Sequence, residues 1–143
     1  MHSERGQFSV DLLLAVSAVF TFILALQLIA SSALPIQAEQ SAILQERELA
    51  QKIASVFNES KILFPGTFQI NYTIPNLKIP GKGNTISCSV RIETTPRQAV
   101  VSYNLDGHIM EDSAQIQLTV NEFGQLIYPG TLNCGETLKI EKR

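Results

Sequence analysis

Residues that build metal, catalytic and nucleic-acid sites are scarce in this chain of 143 residues. Its only histidines are His2 and His108, and its only cysteines are Cys88 and Cys134, whereas a structural zinc site needs four ligands. No lysine or arginine run is interleaved with aromatic residues, and the formal net charge is −2, so no nucleic-acid partner is indicated. Gly81-Lys82-Gly83 lacks the spacing of a phosphate loop. We therefore predict neither enzyme activity nor a cofactor.

Two polar clusters in the C-terminal part could still carry chemistry. Asp106, His108 and Ser113 are close in sequence, and Glu111-Asp112 is an acidic pair. A hydrolase triad depends on placement in space, which spacing along the chain does not give. We interpret the first cluster as a polar turn and the second as a solvated loop. A surface-tethered enzyme would require such side chains to converge in one pocket.

A long apolar run lies near the N-terminus. Residues 12–34 contain no charged side chain, and a helix of that length spans the roughly 30 Å hydrocarbon core of a membrane. Arg5 and the starting amine favour a cytoplasmic N-terminus. A secretory signal peptide is the alternative, with Ser32-Ala33-Leu34 or Gln37-Ala38-Glu39 as a weak cleavage site. Its apolar region is shorter, at about 7–15 residues, so a membrane-spanning helix is favoured.

The residues just before the apolar run follow an ordered pattern. Arg5-Gly6-Gln7-x-Ser9-x-Asp11, followed by Leu12–Leu14, resembles the class III signal peptide of archaeal type IV pilins and pilin-like proteins. The resemblance covers residues 1–35 and is most specific over residues 5–11. It implies that a prepilin peptidase cuts between Gly6 and Gln7, on the cytoplasmic side of the membrane. The apolar helix would then remain in the mature protein.

The same resemblance gives Asp11 a role in assembly. After cleavage it would be the fifth residue, where the family usually has Glu, and Asp keeps the charge on a shorter side chain. Cleavage creates an α-amino group that is positive at neutral pH, and the Asp11 carboxylate could pair with it or with the amine of a neighbouring subunit. The simpler interpretation is a plain anchor whose Asp11 lies among lipid headgroups, because a charge inside a span costs about 2.5–3.5 kcal/mol.

A second helical stretch follows Pro35, which is expected to kink the helix. Residues 36–60 contain no glycine or proline and are rich in helix formers. An apolar stripe is formed by Ala42, Leu49, Ala50, Ile53, Val56 and Phe57, and four polar residues are placed off it: Glu46, Arg47, Gln51 and Lys52. We predict one helix from about Phe8 to Phe57, apolar all round at first and amphipathic later.

The remaining residues, 61–143, read as a small β-domain. Alternating patterns and turn residues predict strands at Thr67–Ile74, Thr85–Thr94, Gln98–Leu105, Ala114–Val120, Gln125–Tyr128 and Thr137–Ile140, with a turn at Asn121–Gly124. Cys88 falls on the apolar face of its strand, which favours a buried disulfide with Cys134 over two reduced thiols if the domain is outside the cell.

These elements define the expected organisation. We predict an α+β fold in which a long N-terminal hydrophobic helix, kinked near Pro35, packs on a small antiparallel sheet or sandwich head. The segments are a leader at 1–6, a transmembrane or filament-core helix at 7–34, its amphipathic continuation at 35–60 and an extracellular head at 61–143. Asn58-Glu59-Ser60 and Asn71-Tyr72-Thr73 are sequons for possible N-glycosylation.

The resemblance implies a structural function. The chain would be a major or minor pilin of an archaeal type IV pilus-like filament, with a prepilin peptidase, membrane lipid before assembly and other pilin subunits as its partners. It would cross the cell membrane once, with its N-terminus in the cytoplasm and its head outside, and become extracellular on assembly. Adhesion, DNA uptake or swimming would depend on the head. The alternative is a single-pass membrane-anchored β-domain that acts as a binding or accessory module of the envelope without polymerising.

Overall fold

The secondary structure confirms the α+β class and its long N-terminal helix. The computed structural model describes residues 4–78, 85–105 and 107–143, with side chains for 10–32, 37–78, 85–105 and 107–143. The chain forms two compact units, Met1–Gln37 and Ala38–Arg143. Helix α1 (Glu4–Ser60) contributes to both. The helix runs through Pro35, whose side chain lies outside the described ones, so the expected kink stays a prediction.

The part of α1 in the second unit buries the predicted apolar stripe. All six of its members are buried: Ala42, Leu49, Ala50, Ile53, Val56 and Phe57. Full burial of a side chain such as Ile53 or Phe57 contributes about 1.5–3 kcal/mol. The Phe57 ring also packs against Phe123 and Tyr128, with ring centroids 5.8 and 5.4 Å away. This stripe is the helical side of the head's hydrophobic core.

The helix ends where the local sequence stops supporting it. Ser60 is fully buried, and its hydroxyl donates a hydrogen bond to the Phe57 carbonyl at 2.6 Å. A short 3-10 helix, Lys61–Leu63, follows. Pro65 follows two residues after Leu63 and lacks the N–H that a continuing helix would need.

Eight strands occur within the described residues, and every pairing is antiparallel. They are β1 (Phe68–Thr73), β2 (Leu77–Lys78), β3 (Thr85–Ile86), β4 (Cys88–Thr94), β5 (Arg97–Leu105), β6 (His108–Gln115), β7 (Thr131–Asn133) and β8 (Thr137–Lys142). They form a four-stranded sheet in the order β6-β5-β4-β7 and two-stranded sheets β1-β8 and β2-β3.

The register of the four-stranded sheet separates an apolar face from a polar one. Cys88, Val90 and Ile92 of β4 are buried in the same core as Val101 and Tyr103 of β5. This alternation follows from the two-residue period of a strand. The alternation predicted for Thr85–Thr94 is therefore confirmed, although Ser87 divides that stretch into β3 and β4.

The strand predicted at Ala114–Val120 is wrong except for Ala114 and Gln115, which are the last residues of β6. Ile116 and Leu118 are buried as the pattern indicates, but the pairing with β5 ends with one hydrogen bond from the Ile116 amide to the Arg97 carbonyl at 2.9 Å. Instead, the Gln117 amide donates a hydrogen bond to Asn58 Oδ1 of α1 at 2.7 Å. The strand that pairs with β5 lies earlier, at β6, whose side chains alternate between exposed and half-buried after His108 and Ile109. It lacks apolar alternation because it is an edge strand with little buried surface.

Four further elements differ from the sequence-based prediction. The turn predicted at Asn121–Gly124 is a short helix, α2 (Val120–Gly124), opened by a capping box between Thr119 and Glu122. Gln125–Tyr128 is no strand, and only Ile127 forms a bridge there, with Glu141. Strands β2 and β7 were not predicted, because two or three residues are too short to show a period.

Candidate functional site

The apolar stretch of α1 in the first unit is exposed on every face. All residues from Val10 to Ser32 are exposed, including Leu13, Phe22 and Leu28. A helix exposing so much apolar surface requires lipid or another protein around it. By length and composition, this helix could cross a membrane.

The hydroxyl groups in this stretch are satisfied within the helix. Ser17, Ser31 and Ser32 each donate to the carbonyl three residues earlier at 2.9 Å, and Thr21 donates to the Ser17 carbonyl at 2.8 Å. Such bonds remove the penalty of exposing a free hydroxyl to hydrocarbon. Gln27, also exposed, has no hydrogen bond among the described residues, so its amide is available to a neighbouring chain.

The proposed processing residues lie at the start of α1. The backbone of Gly6 and Gln7 is helical, and their side chains lie outside the described ones. Asp11 is exposed and carries the one charge in the stretch 10–32. Because it follows Gln7 by four residues, the two positions share one face of the helix.

The predicted disulfide between Cys88 and Cys134 is confirmed, with a Cα–Cα distance of 5.3 Å. Cys88 begins β4 and Cys134 follows β7, which pairs with β4 through Ser89 and Asn133. The Cys134 amide continues this ladder by donating to the Cys88 carbonyl at 2.9 Å. The strand pairing therefore brings the two cysteines side by side.

The two sequons occupy different surroundings. Asn58 lies in the last turn of α1, is half-buried, and accepts the hydrogen bond from the Gln117 amide. Asn71 lies in the middle of β1 and is exposed. The sequence pattern did not distinguish these positions, because it did not show which side chain faces the core.

The clusters considered for catalysis do not converge. His108 and Ser113 stand five residues apart along β6, which separates them by about 17 Å, and Asp106 lies outside the described residues. Glu111 and Asp112 are strand neighbours and so point to opposite faces. Glu111 pairs with Arg91, whereas Asp112 pairs with Arg47. Each pair of candidate groups is therefore split by the strand geometry.

One ionisable residue, Glu46, is buried, although the sequence-based prediction placed it off the apolar stripe. Its side chain is 2% exposed, and its Oε1 atom has no hydrogen-bond partner in the described part of the chain. That prediction was wrong: Glu46 follows Ala42 by four residues and precedes Leu49 by three, a spacing that puts all three on one helix face. The buried hydroxyl of Tyr103 also lacks a partner. The helical spacing of Glu46 therefore indicated that it is buried, but its polar side chain suggested an exposed position.

The surroundings of Glu46 favour its protonated form. Burial, followed by the negative charges of Asp112 and Glu111, raises the pKa of its carboxyl from an ordinary 4.5 to about 7, against a lowering by a hydrogen bond from the backbone amide of Asp112. Burial also raises the pKa of Tyr103, and the nearby charges of Glu46 and Glu39 add to that increase. The head therefore contains a carboxyl group that stays neutral well above the usual range.

We expect the stability of the head to fall as pH rises from about 4.5 to about 7, because the folded state holds the Glu46 proton over that range and the unfolded chain does not. Glu46→Gln should remove this dependence. The variant should match the wild type near pH 4.5 and exceed it by about 3 kcal/mol at pH 8. All three tyrosines, Tyr72, Tyr103 and Tyr128, are in the head, and the chain has no tryptophan. Tyrosine fluorescence during urea unfolding of the full chain in micelles therefore measures the head.

Glu48→Gln is the matched control for this measurement, because Glu48 is exposed on the same helix. It should keep the wild-type pH dependence. Parallel pH profiles for wild type and Glu46→Gln would contradict the assignment of the titration to Glu46.

No group of three or more His, Cys, Asp or Glu side chains within the described residues is arranged to hold a metal ion. Comparison with known protein families, with curated proteins and with solved structures finds no match to this chain. The function is therefore inferred from the residues themselves.

Proposed function

We propose that this chain is a structural subunit, a major or minor pilin, of an archaeal type IV pilus-like surface filament. A prepilin peptidase cuts it after Gly6, and the mature chain begins at Gln7. The observation that carries this proposal is the order Gly6, Gln7 and Asp11 at the start of a helix whose uncharged stretch from Leu12 to Ser32 is exposed on all its faces.

Because this helix is apolar on all its faces, it can be covered by two different environments in succession. Before assembly, lipid covers the apolar side chains, since the stretch is long enough to span a hydrocarbon core. After assembly, copies of the same helix cover them. Four small residues on this stretch would let neighbouring helices approach closely: Ala15, Ser17, Ala18 and Ala25. Gln27, whose amide has no hydrogen bond to any of the described residues, is suited to bonding between helices.

The disulfide supports a head outside the cell. Disulfides persist in oxidising compartments and are rare in the reducing cytoplasm. With the head outside and the N-terminus in the cytoplasm, the peptidase would meet Gly6 on the inner side of the membrane. This is the arrangement that the positive charge of Arg5 favours.

The competing function is that of a membrane-anchored head that never polymerises. It uses the same apolar helix for lipid alone and assigns no purpose to the Gly6-Gln7 pair. Processing at this pair therefore separates the two functions.

Processing is tested by the mass of the mature N-terminus. We expect the full chain, produced together with a prepilin peptidase from the same cells, to lose residues 1–6 and to begin at Gln7. Gly6→Val should abolish the cut, because a β-branched side chain would occupy the residue whose carbonyl is attacked. Intact-mass spectrometry reads both results.

Ser3→Val adds a similar side chain in the leader but away from the cut, and it should be processed like the wild type. A wild-type chain that still begins at Met1 in the presence of the active peptidase would contradict the proposal. The membrane-anchored module would then become the better account.

A further inference from the structure

The β1-β8 sheet has one polar, exposed face. The register pairs Asn71 with Lys139 and Thr73 with Thr137, and these four side chains are all exposed. The opposite face carries residues of the core, including the fully buried Leu138 and Ile140. A bulky hydrophilic group on the exposed face would therefore disturb no buried contact.

Asn71 presents its carboxamide on that face. Its Oδ1 atom accepts a hydrogen bond from Gln69 Nε2 at 3.1 Å, and its Nδ2 atom has no hydrogen bond among the described residues. Thr73, the hydroxyl residue of the sequon, is exposed beside it, with its hydroxyl 3.3 Å from that of Thr137. Both groups that define this sequon are accessible from solvent.

The Asn58 sequon is less accessible than the Asn71 sequon. Its hydroxyl residue, Ser60, is fully buried and donates to the Phe57 carbonyl. Asn58 itself is held by the Gln117 amide. The second and third positions of the motif also lie in helical backbone at the end of α1, so an enzyme would have to unwind that end to reach the motif.

The order in which the elements fold increases this difference in accessibility between the two sequons. The helical hydrogen bonds around Asn58 are local and form in about a microsecond. Strand β1, by contrast, can pair only after β8, its partner, has been synthesised. The side-chain contact from Thr73 to Thr137 spans 64 residues, and contacts of such separation form late. As the chain emerges, Asn71 therefore remains in an unpaired segment until the last strand arrives.

We infer that Asn71, and not Asn58, is an N-glycosylation site of this protein. The donor is an oligosaccharide carried on a lipid phosphate, and a membrane transferase catalyses the step. Asn71 Nδ2 attacks the anomeric carbon, a C–N bond forms, and the bond from that carbon to the phosphate oxygen breaks. The lipid phosphate leaves with the bonding electrons, and one Nδ2 proton passes to a base of the transferase.

This inference rests on the part of the proposed function that places the head outside the cell. The test uses the full chain purified from cells that normally produce it. Cleavage after lysine places Asn58 in residues 53–61 and Asn71 in residues 62–78, so mass spectrometry reads the two sequons on separate peptides. We expect the whole added mass on 62–78 and none on 53–61.

Four variants test whether the added mass is attached at Asn71. Asn71→Gln and Thr73→Ala should each abolish the added mass, Thr73→Ser should retain it because the sequon survives, and Asn58→Gln should leave it unchanged. Asn71 and Thr73 are both exposed, so the changes at these two positions keep the core intact.

The inference is wrong if Asn71 carries no glycan or if Asn58 carries one. The N-terminal peptide in the same digest separates this failure from that of the proposed function. A chain that begins at Gln7 with a bare Asn71 leaves the filament subunit standing, whereas a chain that begins at Met1 counts against the filament subunit whatever Asn71 carries.

Discussion

Asp11→Asn subunits should be cut after Gly6 and yet be almost absent from filaments. Cleavage needs the Gly6-Gln7 pair, which the substitution keeps. In the proposed function, assembly buries the new N-terminal amine among apolar helices, where its positive charge would require the Asp11 carboxylate. Removing one partner of a buried pair costs about 3–5 kcal/mol, which corresponds to a loss of more than about a hundredfold in association.

The measurement compares sheared filaments with membranes from cells whose only copy carries the substitution. Asp11→Asn should leave processed subunit in the membrane, and Asp11→Glu should restore filaments because it returns the charge with a longer reach. Filaments at the wild-type level from Asp11→Asn would show that Asp11 is an interfacial residue without a partner. The proposed pairing of amine and carboxylate would then be wrong.

The head without its disulfide should lose about 4 kcal/mol of unfolding free energy. The bridge between Cys88 and Cys134 closes a loop with a sequence separation of 46, and chain-entropy reasoning for a loop of that length gives about this value. The effect acts mainly on the unfolded chain, so the folded strands β4 and β7 should keep their pairing. Such a loss is a large part of the 5–15 kcal/mol of a typical domain.

Urea unfolding of the full chain in micelles, followed by tyrosine fluorescence, checks this value. The double variant Cys88→Ser/Cys134→Ser should unfold at lower urea than the wild type. A reductant should bring the wild type to the same midpoint and leave the double variant unchanged. Equal midpoints for oxidised wild type and double variant would refute the stabilising role.

The parts of the fold with a clear period were predictable from the sequence. Val90 and Ile92 of β4 are buried as the two-residue alternation requires, and Ile53 and Phe57 of α1 are buried as the helical spacing requires. In each case one face meets the core and the other meets water, so the pattern carries the structural information.

Other elements depend on partners that the local sequence does not reveal. Strand β6 forms because β5 offers its hydrogen-bonding edge, and its exposed Ile109 follows no alternation. The following segment buries Leu118 without a ladder, so apolar alternation there indicated a strand wrongly. Glu46 shows the same difficulty in the candidate sites: its place on the stripe was readable, but polarity suggested solvent.

The hydroxyl bonds inside the apolar stretch of α1 have a consequence for the reversibility of assembly. Ser17, Thr21 and Ser31 carry their acceptors with them, so no hydrogen bond of theirs is exchanged when the surroundings of the helix change. A subunit that leaves a filament for the membrane would therefore expose no unbonded hydroxyl group to hydrocarbon. In the proposed function, recycling of subunits through the membrane is then opposed by packing, by Gln27 and by the Asp11 pairing alone.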